Sequence, residues 1–221
     1  CEGGEVEPFQ ALRKRARAKH YGSAVAGGLY MLDSPLKKSY ANTFFQCAEA
    51  LEQTGTKVTS RYCRGRWCVV CNRIRTANLM KGYEKPLSEL EDLYFVTLTL
   101  PNVNGPELGG TIDQMTDVVK DIQETFQGRY KRAKKKGLQG WQLVGVRKLE
   151  CTYNAKTDLF HPHWHFLISG KEAAEALVKE WLERVPGATI KAQDVRKAGK
   201  GSERELFKYF AKMVTKVDGK N

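Results

Sequence analysis

The sequence predicts an α+β fold, an antiparallel sheet with helices packed on one face, preceded by a cysteine-rich elaboration. Two observations predict the sheet. Strand and helix signals alternate as β-α-β-β-α-β-α, an order that gives an antiparallel sheet with its helices on one side. The stretch Phe160-His161-Pro162-His163-Trp164-His165-Phe166-Leu167-Ile168 then puts polar and large apolar residues on alternate positions, as a half-buried strand does. A third predicts the elaboration. Cys63, Cys68 and Cys71 crowd together upstream, a spacing that favours zinc in a reducing compartment over disulfides.

The elements follow in order across two blocks, 1–90 and 91–221. The first block is basic. Arg13, Lys14, Arg15, Arg17 and Lys19 mark either a solvated helix face or a phosphate-gripping arm. In the second block, Leu93 to Leu100 reads as a strand, with Thr97 and Thr99 alternating against Val96 and Leu98. Thr111 to about Lys136 reads as a long helix ending before Gly137. Trp141 to Thr152 and His163 to Ile168 read as strands around a turn at Tyr153 to Leu159. Pro162, which cannot donate to a ladder, suits the second strand's beginning. Lys171 to Arg184 is an amphipathic helix stopped near Pro186 and Gly187. Ala188 to Val195 is expected as a strand. Ser202 to Val217 is the last helix, with Ser202 as N-cap and Glu205 completing a capping box.

The chain has 221 residues and a formal charge of +12, from 37 Lys and Arg against 25 Asp and Glu. That excess suits a polyanionic partner through counterion release. No apolar run approaches the roughly 20 residues that span a bilayer. The N-terminal segment is charged, so no secretory signal is expected, and the cysteine pattern points to the cytoplasm.

Strand alternation puts His163 and His165 on one face, about 7 Å apart, and Trp164, Phe166 and Ile168 on the other. If the hairpin is centred between Lys156 and Thr157, Glu150 lies across from His163 on the same face. A slip of one residue would move it to the opposite face. His161 shares the parity and is the reserve ligand. Two imidazoles and a carboxylate suit Mn, Mg or Zn. Phosphodiester chemistry favours Mg or Mn, which keep open positions for phosphate oxygens.

On the last helix, Leu206, Phe210, Met213 and Val217 form the apolar stripe, and Glu205, Tyr209, Lys212 and Lys216 form a second beside it. A phenol, with a pKa near 10, attacks only once its proton is taken or its anion stabilised. Lys212 and Lys216 are placed to stabilise the phenolate and a phosphate. Glu205, one turn earlier, is placed to accept a proton, and is equally a helix cap.

These residues resemble a family. His161-Pro162-His163-Trp164-His165 is similar to the histidine-hydrophobic-histidine motif of HUH endonucleases. Tyr94-Phe95-Val96-Thr97-Leu98-Thr99-Leu100 resembles their Thr-rich strand motif, and Tyr209-Phe210-Ala211-Lys212 their tyrosine-x-x-lysine motif, in the family's chain order. Arg147-Lys148-Leu149-Glu150-Cys151-Thr152-Tyr153 resembles the segment supplying their carboxylate ligand. Glu205 four residues before Tyr209 resembles the plasmid rolling-circle initiators that pair a glutamate with one tyrosine.

The resemblance implies an HUH/RRM-like catalytic domain over 91–221 and a nicking and joining reaction on single-stranded or extruded origin DNA. Tyr209 becomes linked to the 5′ phosphate, the freed 3′ hydroxyl primes a host polymerase, and a host helicase opens the duplex. Glu205 activates water for termination. The resemblance also suggests Cys47 as fourth ligand of a structural zinc with Cys63, Cys68 and Cys71, since related initiators carry an upstream cysteine. His20 is the runner-up, and Cys1 and Cys151 are expected to be free. Arg64, Arg66, Arg73 and Arg75 beside the cluster, with Lys216, are candidate DNA contacts. Two alternatives stay open: a basic zinc-containing DNA-binding protein without nicking activity, and a relaxase or transposase with the same chemistry.

Overall fold

The structure is a computed structural model. It describes residues 8–55, 57–138, 140, 142–199, 202 and 206, for 8–12, 54, 57 and 58 the backbone alone. The chain divides into two compact units, with the boundary between Lys81 and Gly82.

The first unit holds helices α1 (Pro8–Tyr30) and α2 (Lys37–Phe45), a two-stranded antiparallel sheet of β1 (Leu51–Thr54) and β2 (Lys57–Ser60), and the part of helix α3 (Val69–Ser88) up to Lys81. Its core is small. Ala18, Cys47, Ala48, Cys68, Val70 and Cys71 are buried together, with Tyr62, Cys63 and Val69 packed against them. Half of those six buried residues are cysteines, so burial of hydrocarbon alone stabilises this unit weakly. A metal bound by the thiols would add folding free energy directly.

The second unit is built on a four-stranded antiparallel sheet in the order β4-β5-β3-β6. These strands are β3 (Leu93–Thr99), β4 (Gly145–Asn154), β5 (Leu159–Ser169) and β6 (Asp194–Lys197), with helices α4 (Gly105–Lys135) and α5 (Lys171–Arg184) packed on one face. Alternation decides that face. Val96 and Leu98 of β3 and Trp164, Phe166 and Ile168 of β5 meet Met115, Val119, Ile122 and Phe126 of α4 and Ala174, Leu177 and Trp181 of α5. Each fully buried large apolar side chain contributes about 1.5–3 kcal/mol by burial. The architecture is therefore the α+β antiparallel sheet that the sequence predicts.

Several boundaries differ, for identifiable reasons. Helix α4 starts six residues before Thr111. Asn104 Oδ1 accepts the Glu107 N–H at 3.0 Å and Pro106 sits in the first turn, so a cap and a proline override the poor propensity of Gly109 and Gly110. Strand β4 starts at Gly145, not Trp141. A Cβ at Gly145 would collide with the Leu167 carbonyl oxygen, so this close approach admits only glycine. Strand β5 starts at Leu159, which puts Pro162 inside it. The ring is tolerated because β3 ends at the pair Thr99↔His163, leaving no β3 residue to receive an N–H from position 162. The strand expected over Ala188 to Val195 is instead a short 3-10 turn (Ile190–Ala192) followed by β6. Gln193 caps the end of β3 in its place, accepting the Thr99 N–H at 2.8 Å and donating to the Thr99 carbonyl at 3.2 Å. Ser202 is helical rather than an N-cap, and its hydroxyl accepts the Gly199 N–H at 3.0 Å. Leu206 is buried, as its stripe requires. Among the described residues, no helix is long and apolar enough to cross a membrane.

Candidate metal centres

The sheet face away from the helices carries the first centre. Strand register pairs Glu150 with His163, Lys148 with His165, Thr99 with His163 and Thr97 with His165. Glu150, His163 and His165 thereby converge, each offering one ligand atom within 4.8 Å of the others. Glu150 Oε2 lies 3.6 Å from His165 Nε2 and 3.9 Å from His163 Nε2. Ligand atoms around a cation at about 2.1 Å stand roughly 3 Å apart in octahedral geometry. Side-chain shifts under an ångström therefore fit this set around one divalent ion, and one carboxylate with two imidazoles is a donor set open to Mn, Mg or Zn.

The surrounding hydrogen bonds aim the imidazoles. His163 Nδ1 lies 2.9 Å from the His161 carbonyl oxygen. A carbonyl only accepts, so Nδ1 carries the proton and Nε2 turns a lone pair toward Glu150. His165 Nδ1 meets Thr97 Oγ1 at 3.1 Å, which leaves its Nε2 facing the same carboxylate. Burial lowers the His163 pKa, keeping that ring neutral and able to ligate. Burial pushes the Glu150 carboxyl up, but its hydrogen bond with His165 and the charge of Lys148 outweigh this and hold it below the usual range.

His161, the reserve ligand, stands outside the converging set. Its Nδ1 is 2.7 Å from Asn102 Oδ1 and its Nε2 3.1 Å from Thr99 Oγ1, so both ring nitrogens are engaged. Sequence reasoning assigned no role to Lys148, which is only 7% exposed with Nζ 3.5 Å from Glu150 Oε2. Its parity with Glu150 was the available signal, obscured because a lysine on an open sheet face is ordinarily solvated.

The second centre lies in the first unit. Cys47, Cys63, Cys68 and Cys71 form one cluster. Sulfur separations are 3.5 Å for Cys47–Cys68 and 3.6 Å for both Cys47–Cys71 and Cys63–Cys71. A tetrahedral zinc with Zn–S near 2.3 Å has sulfurs about 3.8 Å apart, so the cluster fits that ion. Arg64, at φ 58°, turns its own N–H to Cys71 Sγ at 3.3 Å, and the Gly65 N–H reaches Cys63 Sγ at 3.4 Å. The Thr43 hydroxyl donates to Cys63 Sγ at 3.2 Å. Hydrogen bonds among the thiols pull Cys63 down and Cys68 down to about 7, and push Cys47 and Cys71 up. His20 lies on α1 with its ring against Tyr21 and is not one of the four. Cys151 is exposed on β4 and free.

The arginines flanking this cluster have local partners. Arg73 donates to the Lys14 carbonyl at 3.2 Å, and Arg75 donates to Asn72 Oδ1 at 2.6 Å and to the Arg64 carbonyl at 2.7 Å. Arg64 and Arg66 are exposed beside the cysteines. Glu205, Tyr209, Lys212 and Lys216, like Cys1, lie outside the described residues.

Comparison with known proteins gives a consistent family. The family model described as Replication protein matches residues 56–174, a span that takes in Cys63, Cys68, Cys71, Glu150, His163 and His165. A protein named Protein rep from Streptococcus pneumoniae serotype 2 (strain D39 / NCTC 7466) is 31% identical over 188 residues, covering 72% of this chain and 54% of that protein. Another Protein rep, from Staphylococcus aureus, is 30% identical over 176 residues, covering 72% of this chain and 69% of that protein. One from Bacillus amyloliquefaciens is 29% identical over 179 residues, with coverage of 75% and 45%. The chain thus spans about half the length of the first of these relatives. No solved structure matches. With the matched region holding Glu150, His163 and His165 and three of the four clustered cysteines, the chain belongs to the Replication protein family, the plasmid Rep family that its motifs resemble.

Proposed function

We propose that this protein initiates rolling-circle replication of a plasmid by nicking and rejoining single-stranded origin DNA. The observation that supports this most is the convergence of Glu150, His163 and His165 on the sheet face opposite α4 and α5, with both Nε2 atoms turned to the carboxylate. A divalent Mn or Mg ion held by these three would supply Lewis-acid polarisation of a scissile phosphate.

The remaining steps belong to side chains. Tyr209 loses its proton to a base, its oxygen attacks phosphorus, and the P–O3′ bond breaks. The products are a 5′-phosphotyrosine and a 3′ hydroxyl that takes up a proton. Lys212 stabilises the phenolate and the transferring phosphoryl group. After one round, Glu205 activates a water to release the terminated strand. Host helicase and polymerase supply unwinding and synthesis. The basic surface near the cysteine cluster holds origin phosphates through Arg64, Arg66, Arg73 and Arg75, with Lys216 adding charge on the last helix.

The second reading, a zinc-containing DNA-binding protein without nicking activity, is favoured by the four-cysteine cluster alone. One experiment separates the two. The protein is mixed with a labelled single-stranded origin oligonucleotide and Mn, then resolved on a denaturing gel. A covalent protein–DNA band is expected, and Tyr209→Phe should abolish it while binding stays near normal. An adduct that survives this change would move the nucleophile to Tyr153 or Tyr130. Binding without any adduct would favour the second reading.

A further inference from the structure

The first unit carries two adjoining hollows beside the cysteine cluster. One, of about 510 Å³, is lined by Tyr62, Arg64, Ile74, Arg75, Asn78 and Leu79, with the zinc-ligand candidate Cys71 at its edge with the cluster. The other, of about 270 Å³, is bordered by Lys14, Arg15 and Arg73 and shares Tyr62 and Ile74 with the first. Tyr62 therefore borders both. Its ring is half-buried against the cysteine cluster. Its hydroxyl accepts a 2.6 Å hydrogen bond from Arg15, whose guanidinium carbon lies 5.5 Å from the ring centroid.

Three properties of the larger hollow identify what it suits. Its volume lies within the roughly 300–1,000 Å³ of small-ligand sites. Its floor is apolar, made by Ile74 and Leu79 beside an aromatic ring, while Arg64 and Arg75 supply cations. Asn78 adds an amide able to both donate and accept. An aromatic platform among cations is how proteins hold single-stranded nucleic acid, the base on the ring and the phosphates on the cations. A paired base in a duplex is covered on both faces by its neighbours and cannot reach such a ring.

We propose that this hollow takes one unpaired base of the origin strand, seated on Tyr62 above Ile74 and Leu79, with Asn78 against the base edge and the flanking phosphates toward Arg64 and Lys14. The site rests on DNA being the substrate, and adds base recognition to a surface otherwise assigned only to phosphates.

The test uses the full, zinc-loaded chain carrying Tyr209→Phe, so that binding is read without cleavage. A single abasic position is walked along a labelled single-stranded origin oligonucleotide. One position should weaken binding roughly 5- to 150-fold, the range for one base–aromatic stack. Tyr62→Leu should weaken the intact oligonucleotide by the same factor, and the abasic position should then cost nothing further. Tyr62→Phe should recover affinity relative to Tyr62→Leu, and the salt slope should not change, since no phosphate contact is removed. If Tyr62→Leu loses its zinc, the uncharged Ile74→Gln, at a position 38% exposed, replaces it and should give the same non-additive loss with the abasic position. Equal binding at every abasic position, or losses that simply add, overturns the proposal. The covalent-adduct assay on the Tyr209 protein is read separately. Nicking without base-dependent binding sinks only this site, and base-dependent binding without an adduct sinks only the nicking reading.

Discussion

Thr97 Oγ1 lies 3.1 Å from His165 Nδ1, and this contact between paired strands determines which imidazole nitrogen faces Glu150. Partners behind a metal ligand ordinarily contribute 10–100-fold to metal affinity. Thr97→Val keeps the strand-favouring shape and removes the hydroxyl. It should weaken Mn binding by roughly tenfold or more in calorimetry, with little change in unfolding temperature. Unchanged Mn affinity would mean that strand pairing alone orients His165.

The four cysteines should bind one zinc per chain, because their sulfurs already stand near tetrahedral spacing. Cys63→Ser should lose that zinc in metal analysis and reduce helical circular dichroism, since the first unit has little other core. Cys151→Ser should retain full zinc content, its thiol being exposed and outside the cluster.

Acid stability should depend on Glu180. Burial pushes this carboxyl up, but hydrogen bonds from Arg184 and Arg129, the latter at 2.6 Å, bring it below the ordinary value of 4.5. A carboxyl with a lowered folded pKa contributes stability that is present above its unfolded value and is lost as pH falls through the folded one. Glu180→Gln should therefore lower the unfolding temperature at pH 7 and flatten its decline below pH 4.5. A parallel decline in both proteins would assign the acid limb elsewhere.

Packing of α5 on the sheet should dominate the stability of the second unit. Leu177 is fully buried between Trp181 and the sheet residues of the core. Leu177→Ala should cost about 2–5 kcal/mol in denaturant unfolding. A cost below about 1 kcal/mol would mean that the core collapses around the gap.

Local periodicity made much of this protein legible. Alternation along β5 separates His163 and His165 from Trp164 and Phe166 whatever the rest of the chain does, because successive strand residues point to opposite faces. The same holds for Thr97 and Thr99 against Val96 and Leu98, and for the apolar stripe of α5. Glu205, Tyr209 and Lys212, read from spacing and from the family resemblance, lie outside the described residues.

Contacts between distant residues decided the rest. Sequence symmetry offered a hairpin register for Glu150, but one residue of slip would have turned it to the helices; the ladder from Gly145↔Ile168 to Asn154↔Leu159 fixes it opposite His163. The placement of Cys47 against Cys68 and Cys71, the burial of Lys148 and the shared border at Tyr62 depend on which elements meet. Side-chain direction within an element follows from backbone geometry over a few residues. Which elements meet depends on burial summed over the whole chain, and no short motif encodes that sum.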